Sequence, residues 1–188
     1  MLYYHGTTRG GITTLQPHAS PYSTYKQPYV YLSSNRTIAT FYIWNRPYMW
    51  HTFGFREDGL PVYTESFPDS LRAFYAGVGG YVYACETDAA LPNPTGIRCA
   101  AICEQPVPVI ACESVEDAYE RFLRYEEEGL LMVHRYDTLS EEQRASNPRM
   151  VMGAIGRLNL LAGEHPLSGF VRETFSREWR EAGEIRPI

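Results

Sequence analysis

The 188 residues are 44% hydrophobic and 21% charged with a net charge of −5, the values of a globular chain long enough to bury one sizeable core. No apolar run approaches the roughly 20 residues of a membrane helix, and no basic stretch followed by an apolar one opens the chain, so the expectation is a soluble, cytoplasmic protein with no membrane partner. Without a dense Lys/Arg cluster there is no basic stripe to track a duplex, which sets duplex DNA aside and leaves a short single strand stacked on tyrosines as the nucleic acid still open.

In chain order, residues 2–5 read as a short strand, and Gly10-Gly11 then break the chain before a polar loop rich in Pro, Ser and Thr up to Pro28. Residues 29–33 alternate in the strand manner, and a polar start at Ser33-Ser34-Asn35 leads into a helix over 35–42. Residues 43–67 carry Trp44, Tyr48, Trp50, Phe53, Phe55, Tyr63 and Phe67 among Gly and Pro breaks, with no period. A long segment of this kind predicts a lid or acceptor platform, with local packing over its own small cluster as the alternative. A short helix over 69–76 ends at Gly77, and a strand follows at 80–86.

Pro92-Asn93-Pro94-Thr95-Gly96 marks a loop, and 106–112 is a strand whose two prolines predict an edge position or a strand start. Ser114 is the expected N-cap of a helix with apolar positions Val115, Ala118, Tyr119, Phe122 and Leu123, closed by Gly129. Residues 130–136 read as a strand. Asn147-Pro148 is expected to start a helix running to Gly163, and Ser168 to cap another carrying Phe170, Val171, Phe175 and Trp179. The four cysteines crowd into 85–112, but Cys99-x-x-x-Cys103 is an uncommon zinc spacing with no histidine nearby. They are expected to be reduced, buried hydrophobes, with no metal site.

The chemistry concentrates in the first quarter. Tyr4-His5-Gly6-Thr7-Thr8 opens the chain, Tyr29-Val30-Tyr31-Leu32-Ser33 follows, and Tyr42 lies eleven residues after Tyr31. This order resembles the NAD-binding half of ADP-ribosyltransferases of the diphtheria-toxin and poly-ADP-ribose polymerase type, with their His-Gly-Thr/Ser first strand, aromatic second strand and following helix whose tyrosine stacks on nicotinamide. The resemblance covers about the first 112 residues. It implies an α+β fold with a split pair of small antiparallel sheets, a core over 1–136 and a helical extension of the same domain over 137–188. It also implies NAD as substrate, release of nicotinamide, and transfer of ADP-ribose to an unidentified acceptor: protein, nucleic acid or small molecule.

Each implied contact has a physical counterpart. The Gly6 backbone can approach a carboxamide closely, His5 can bond a ribose hydroxyl while its other nitrogen is held, and Thr7 and Ser33 add hydroxyls. Tyr31 and Tyr42 would sandwich the nicotinamide, each face contributing roughly 0.5–2 kcal/mol. His5, Tyr31 and a carboxylate form the catalytic set, the acid stabilising an oxocarbenium-like transition state. Glu104, just before the strand at 106–112, is the leading candidate, and Glu86 or Asp88 the alternatives. Without an acid within reach, the same fold would be an NAD or ADP-ribose binding module. An RNA 2′-phosphotransferase would need arginines grouped on a phosphate, and Arg36, Arg46, Arg56 and Arg98 are dispersed.

Overall fold

The computed structural model describes residues 1–19, 27–92 and 96–184. Part of the loop expected before Pro28, at 20–26, and the Asn93-Pro94-Thr95 turn lie outside the described residues. The chain divides into two compact units. The first comprises Met1–Asn45, Phe55–Val62 and Leu71–Met132, the second Arg46–Gly54, Tyr63–Ser70 and Val133–Ile188.

The first unit is built on an antiparallel sheet of seven strands: β1 (Leu2–Thr7), β2 (Thr14–Leu15), β3 (Val30–Ser33), β6 (Gly80–Glu86), β7 (Leu91–Pro92), β8 (Ala100–Cys103) and β9 (Val107–Val115). Their order is β2-β9-β6-β1-β3-β8-β7. A second sheet has the order β10-β5-β4, with β4 at Phe53–Phe55, β5 at Pro61–Thr64 and β10 at Met132–His134. With helices α1 (Arg36–Thr40), α2 (Ser70–Tyr75), α3 (Ala118–Glu127), α4 (Glu141–Arg157), α5 (Leu167–Thr174) and α6 (Ser176–Glu184), the protein is α+β. Among the described residues no helix is long and apolar enough to cross a membrane.

The two halves of the large sheet meet at very little. β1 pairs with β6 along its whole length, from Leu2↔Glu86 to Thr7↔Tyr81. With β3 it pairs at Tyr4↔Ser33 alone, and β3 then pairs with β8 from Val30↔Cys103 to Ser33↔Ala100. On one face Tyr3, Val30, Leu32, Cys85, Ala101 and Cys103 form a buried cluster with Leu15 and Val107. On the other, α1 supplies Ile38, the turn after it Phe41 and α3 Phe122, with Phe41 stacked on Phe122 at 4.2 Å.

Several local expectations shift under tertiary pairing. Ser114 is not a cap, because β9 continues through Ser114↔Tyr81 and Val115↔Gly80. Asp117 caps α3 instead, accepting from the N–H groups of Tyr119 (2.8 Å) and Glu120 (3.2 Å). Pro148 does not start a helix but lies inside α4, which begins six residues before Asn147 behind a Ser140/Gln143 capping box. Ser168 sits within α5, its hydroxyl donating to the Leu160 carbonyl at 2.8 Å. Of the cysteines, Cys85 and Cys103 are buried, Cys99 is half-buried, and Cys112 is exposed, unlike the enclosure expected for all four.

The largest correction concerns residues 43–67. Rather than a lid, this segment holds β4 and β5, and Tyr48, Trp50 and Tyr63 are core residues. In the second unit Trp50 lies 5.4 Å from both Phe170 and Phe175, Tyr48 stacks on Phe170 at 5.2 Å, and the Trp50 indole N–H donates to Ser66 Oγ at 3.0 Å. Tyr48, Trp50 and Phe67 find ring partners more than a hundred residues away, so no local rule reveals their burial.

Candidate functional site

The His-Gly-Thr strand and the aromatic strand lie side by side where their pairing ends. Beyond Tyr4↔Ser33 the strands diverge, and the His5 Nδ1 bonds the Tyr31 carbonyl at 2.8 Å across the gap. A carbonyl only accepts, so Nδ1 carries the hydrogen and Nε2 keeps the lone pair. Burial holds the His5 pKa below the ordinary histidine range, against the opposing effect of the Tyr31 bond and with a smaller push from His18. His5 is therefore a neutral imidazole at pH 7, with Nε2 as an acceptor for a hydroxyl.

Gly6 occupies the point where α1 presses on β1. A Cβ built there would lie 1.8 Å from the Ala39 carbonyl oxygen, so glycine is required for packing whatever it binds. The same Ala39 oxygen accepts the Tyr42 N–H at 3.0 Å, which brings Tyr42 to the Gly6 end of the helix. Here the expected helix over 35–42 stops short: α1 ends at Thr40, and Phe41, Tyr42 and Ile43 continue with i→i−3 bonds to Ile38, Ala39 and Thr40. This tightening drives Phe41 into the core and leaves Tyr42 38% exposed. The Tyr42 hydroxyl, nonetheless desolvated, is pushed up to about 12, with Cys99 as the second cause.

The other expected residues have defined places. The Thr7 hydroxyl accepts from Arg9 N–H at 3.2 Å, and Tyr83 donates to the Arg9 carbonyl at 3.0 Å, pinning the chain as it leaves β1. Ser33 Oγ accepts from Asn35 N–H at 3.1 Å and donates to the Asn35 carbonyl at 2.9 Å, with Cys99 Sγ 3.3 Å away. Its hydroxyl thus shapes the entry to α1, whose N-cap is Asn35. Tyr31 is half-buried, but its hydroxyl oxygen is enclosed with no hydrogen-bond partner among the described residues.

The carboxylates are less convergent. The residue across from Tyr31 on β8 is Ile102, and Glu104 is exposed in the bend after Cys103, leaving β8 at the level of Tyr29. Glu86 pairs with Leu2, three residues or roughly 10 Å along β1 from His5. Asp88 is exposed and pairs with the Met1 amino group at 3.1 Å. Of the three, Glu104 alone borders β3.

Two participants escape sequence reasoning. Cys99 reaches Ser33 and Tyr42 because the unpredicted strand β8 begins beside it. His18 pairs its backbone with Tyr29, N···O 3.1 Å in both directions, and sets its ring edge-on to Tyr31 at 5.8 Å. Neither spacing carries a local signal. Among the described residues no group of three His, Cys, Asp or Glu could hold a metal ion. No protein-family model, no curated protein and no solved structure matches the chain.

Proposed function

We propose that the protein is an NAD-dependent ADP-ribosyltransferase, releasing nicotinamide and passing ADP-ribose to an acceptor. The observation that carries this reading is the His5–Tyr31 bond at the divergence of β1 and β3. It leaves a neutral imidazole next to the Gly6 backbone, with Tyr31 on the neighbouring strand and the Tyr42 N–H on the Ala39 carbonyl that packs against Gly6. A ribose hydroxyl, a carboxamide and a flat cationic ring ask for those three kinds of group. The near-division of the large sheet at Tyr4↔Ser33 supports the split-sheet form of the fold that the sequence resemblance implies. In this reading Glu104 supplies the carboxylate that stabilises positive charge developing on the ribose.

A second reading, a module that binds NAD or ADP-ribose without cleaving it, is favoured by Ile102 standing across from Tyr31 and by the exposure of Glu104. Incubation with labelled NAD, alone and with lysate, tests both. Nicotinamide release that falls about 100-fold in Glu104→Gln, with NAD still bound, supports the transferase. Binding with no release assigns the module.

A further inference from the structure

We propose that His18 is the general base of this site, taking the proton of the attacking acceptor or water. The inference rests on the NAD-cleaving reading and adds a residue that reading does not use.

His18 is delivered by the chain that leaves β1. Its two-way backbone pairing with Tyr29 seats it just ahead of β3, and its ring stands edge-on to Tyr31. Its Nδ1 lies 3.4 Å from the Gln16 carbonyl, a contact that the Nδ1–H tautomer would satisfy, with the lone pair then on Nε2. His5 has the same arrangement, with its Nδ1–H on the Tyr31 carbonyl. In that tautomer both imidazoles have Nδ1 toward a main-chain carbonyl and Nε2 as an acceptor, next to Tyr31, whose enclosed hydroxyl has no hydrogen-bond partner among the described residues.

Their surroundings divide the work. His5 is half-buried and held through Nδ1, which suits a fixed hydrogen-bond acceptor. His18 is exposed, which suits a group that takes a proton and returns it to solvent. Among the described residues, the groups around His18 are His5 from β1, Tyr29 just ahead of β3 and Tyr31 from β3, with the Tyr29 hydroxyl donating to Gln27 Oε1 at 2.6 Å. Glu104 borders the same stretch of β3 from the β8 side. Its formal charge serves the developing cation, while the proton goes to His18. In the step, the acceptor oxygen forms a bond to C1′ of the nicotinamide ribose as the C1′–N bond breaks. That bond's electron pair stays on nicotinamide, and the O–H proton passes to His18 Nε2.

The test measures nicotinamide release and NAD binding from pH 5 to 9, the usual span for a histidine titration, in the intact chain and in His18→Gln and Glu104→Gln. The expected result for His18→Gln is NAD affinity within about twofold of the parent, release lowered about 100-fold, and a pH profile of release that differs from the parent's. Glu104→Gln should slow release at every pH and keep the parent's profile. Because His18 is exposed, matching melting curves should accompany these rates. Release and pH profile unchanged in His18→Gln would overturn the proposal, as would a loss wholly in NAD affinity. Absence of release from the parent chain would instead overturn the NAD-cleaving reading and this step with it.

Discussion

The His5 imidazole and the Tyr31 main chain are joined by a 2.8 Å bond between two strands that pair at one other position. The bond holds the ring's tautomer and at the same time closes the mouth of the divergence between β1 and β3. Replacing His5 by Ala removes both the held acceptor and the closure. NAD affinity measured by calorimetry should fall about 10- to 100-fold, while stability should drop by only about 1 kcal/mol, the ordinary net contribution of one such bond.

Tyr42 offers a cleaner probe of the stacking surface because 38% of it is exposed and it lies beyond the end of α1. Tyr42→Ala should weaken NAD binding by about 1–3 kcal/mol with the melting temperature nearly unchanged. Tyr42→Phe keeps the ring and should keep most of the affinity. Equal weakening in both variants would point to the hydroxyl rather than the ring face.

Gly6→Ala should act on the fold before it acts on any ligand. The added methyl would meet the Ala39 carbonyl at 1.8 Å and push α1 off β1. Overpacking of this kind costs about 1–3 kcal/mol or more, so a clear drop in the denaturation midpoint is expected without NAD present. An unchanged midpoint would show that α1 can yield at this point.

Trp50 anchors the aromatic core of the second unit between Phe170 and Phe175 and donates to Ser66. Trp50→Ala should lower stability by about 3–5 kcal/mol, read from denaturant unfolding. Excising the middle of 43–67 should leave that unit unfolded, whereas a lid would be dispensable.

The protein should also lose stability in mild acid. Burial lowers the His51 pKa to about 4, and its Nε2 is enclosed although the residue keeps some surface. The unfolded chain therefore takes up a proton near pH 6.5 that the folded chain refuses until about pH 4, so stability falls as pH drops through that window. Full expression of the shift would be about 3 kcal/mol, less what partial solvent access restores. Thermal melts from pH 7 to 4 should show the slope, and His51→Gln should flatten it. His5, lowered in the same direction, adds to the effect.

The elements legible in the chain alone are those that local chemistry specifies. The Val30–Ser33 strand, the helix opening at Asn35, the strand at Gly80–Glu86 and the glycine closure after α3 appear where alternation, capping and glycine geometry put them, while the first strand, read over 2–5, runs on to Thr7. Gly129 has φ of 71°, the left-handed turn expected after a helix. The rest was decided by partners distant in sequence. Ser114 was drawn into β9 by Tyr81, and Ala100–Cys103 became a strand by pairing with β3, although four small or apolar residues carry little period of their own. His18, Cys99 and Ile102 entered the candidate site through register, which no residue's own propensity encodes. Trp50 and Tyr48 became core because Phe170 and Phe175 cover them. Hydrogen-bond caps act over three or four residues and are legible locally, whereas burial and strand register depend on which distant surfaces meet.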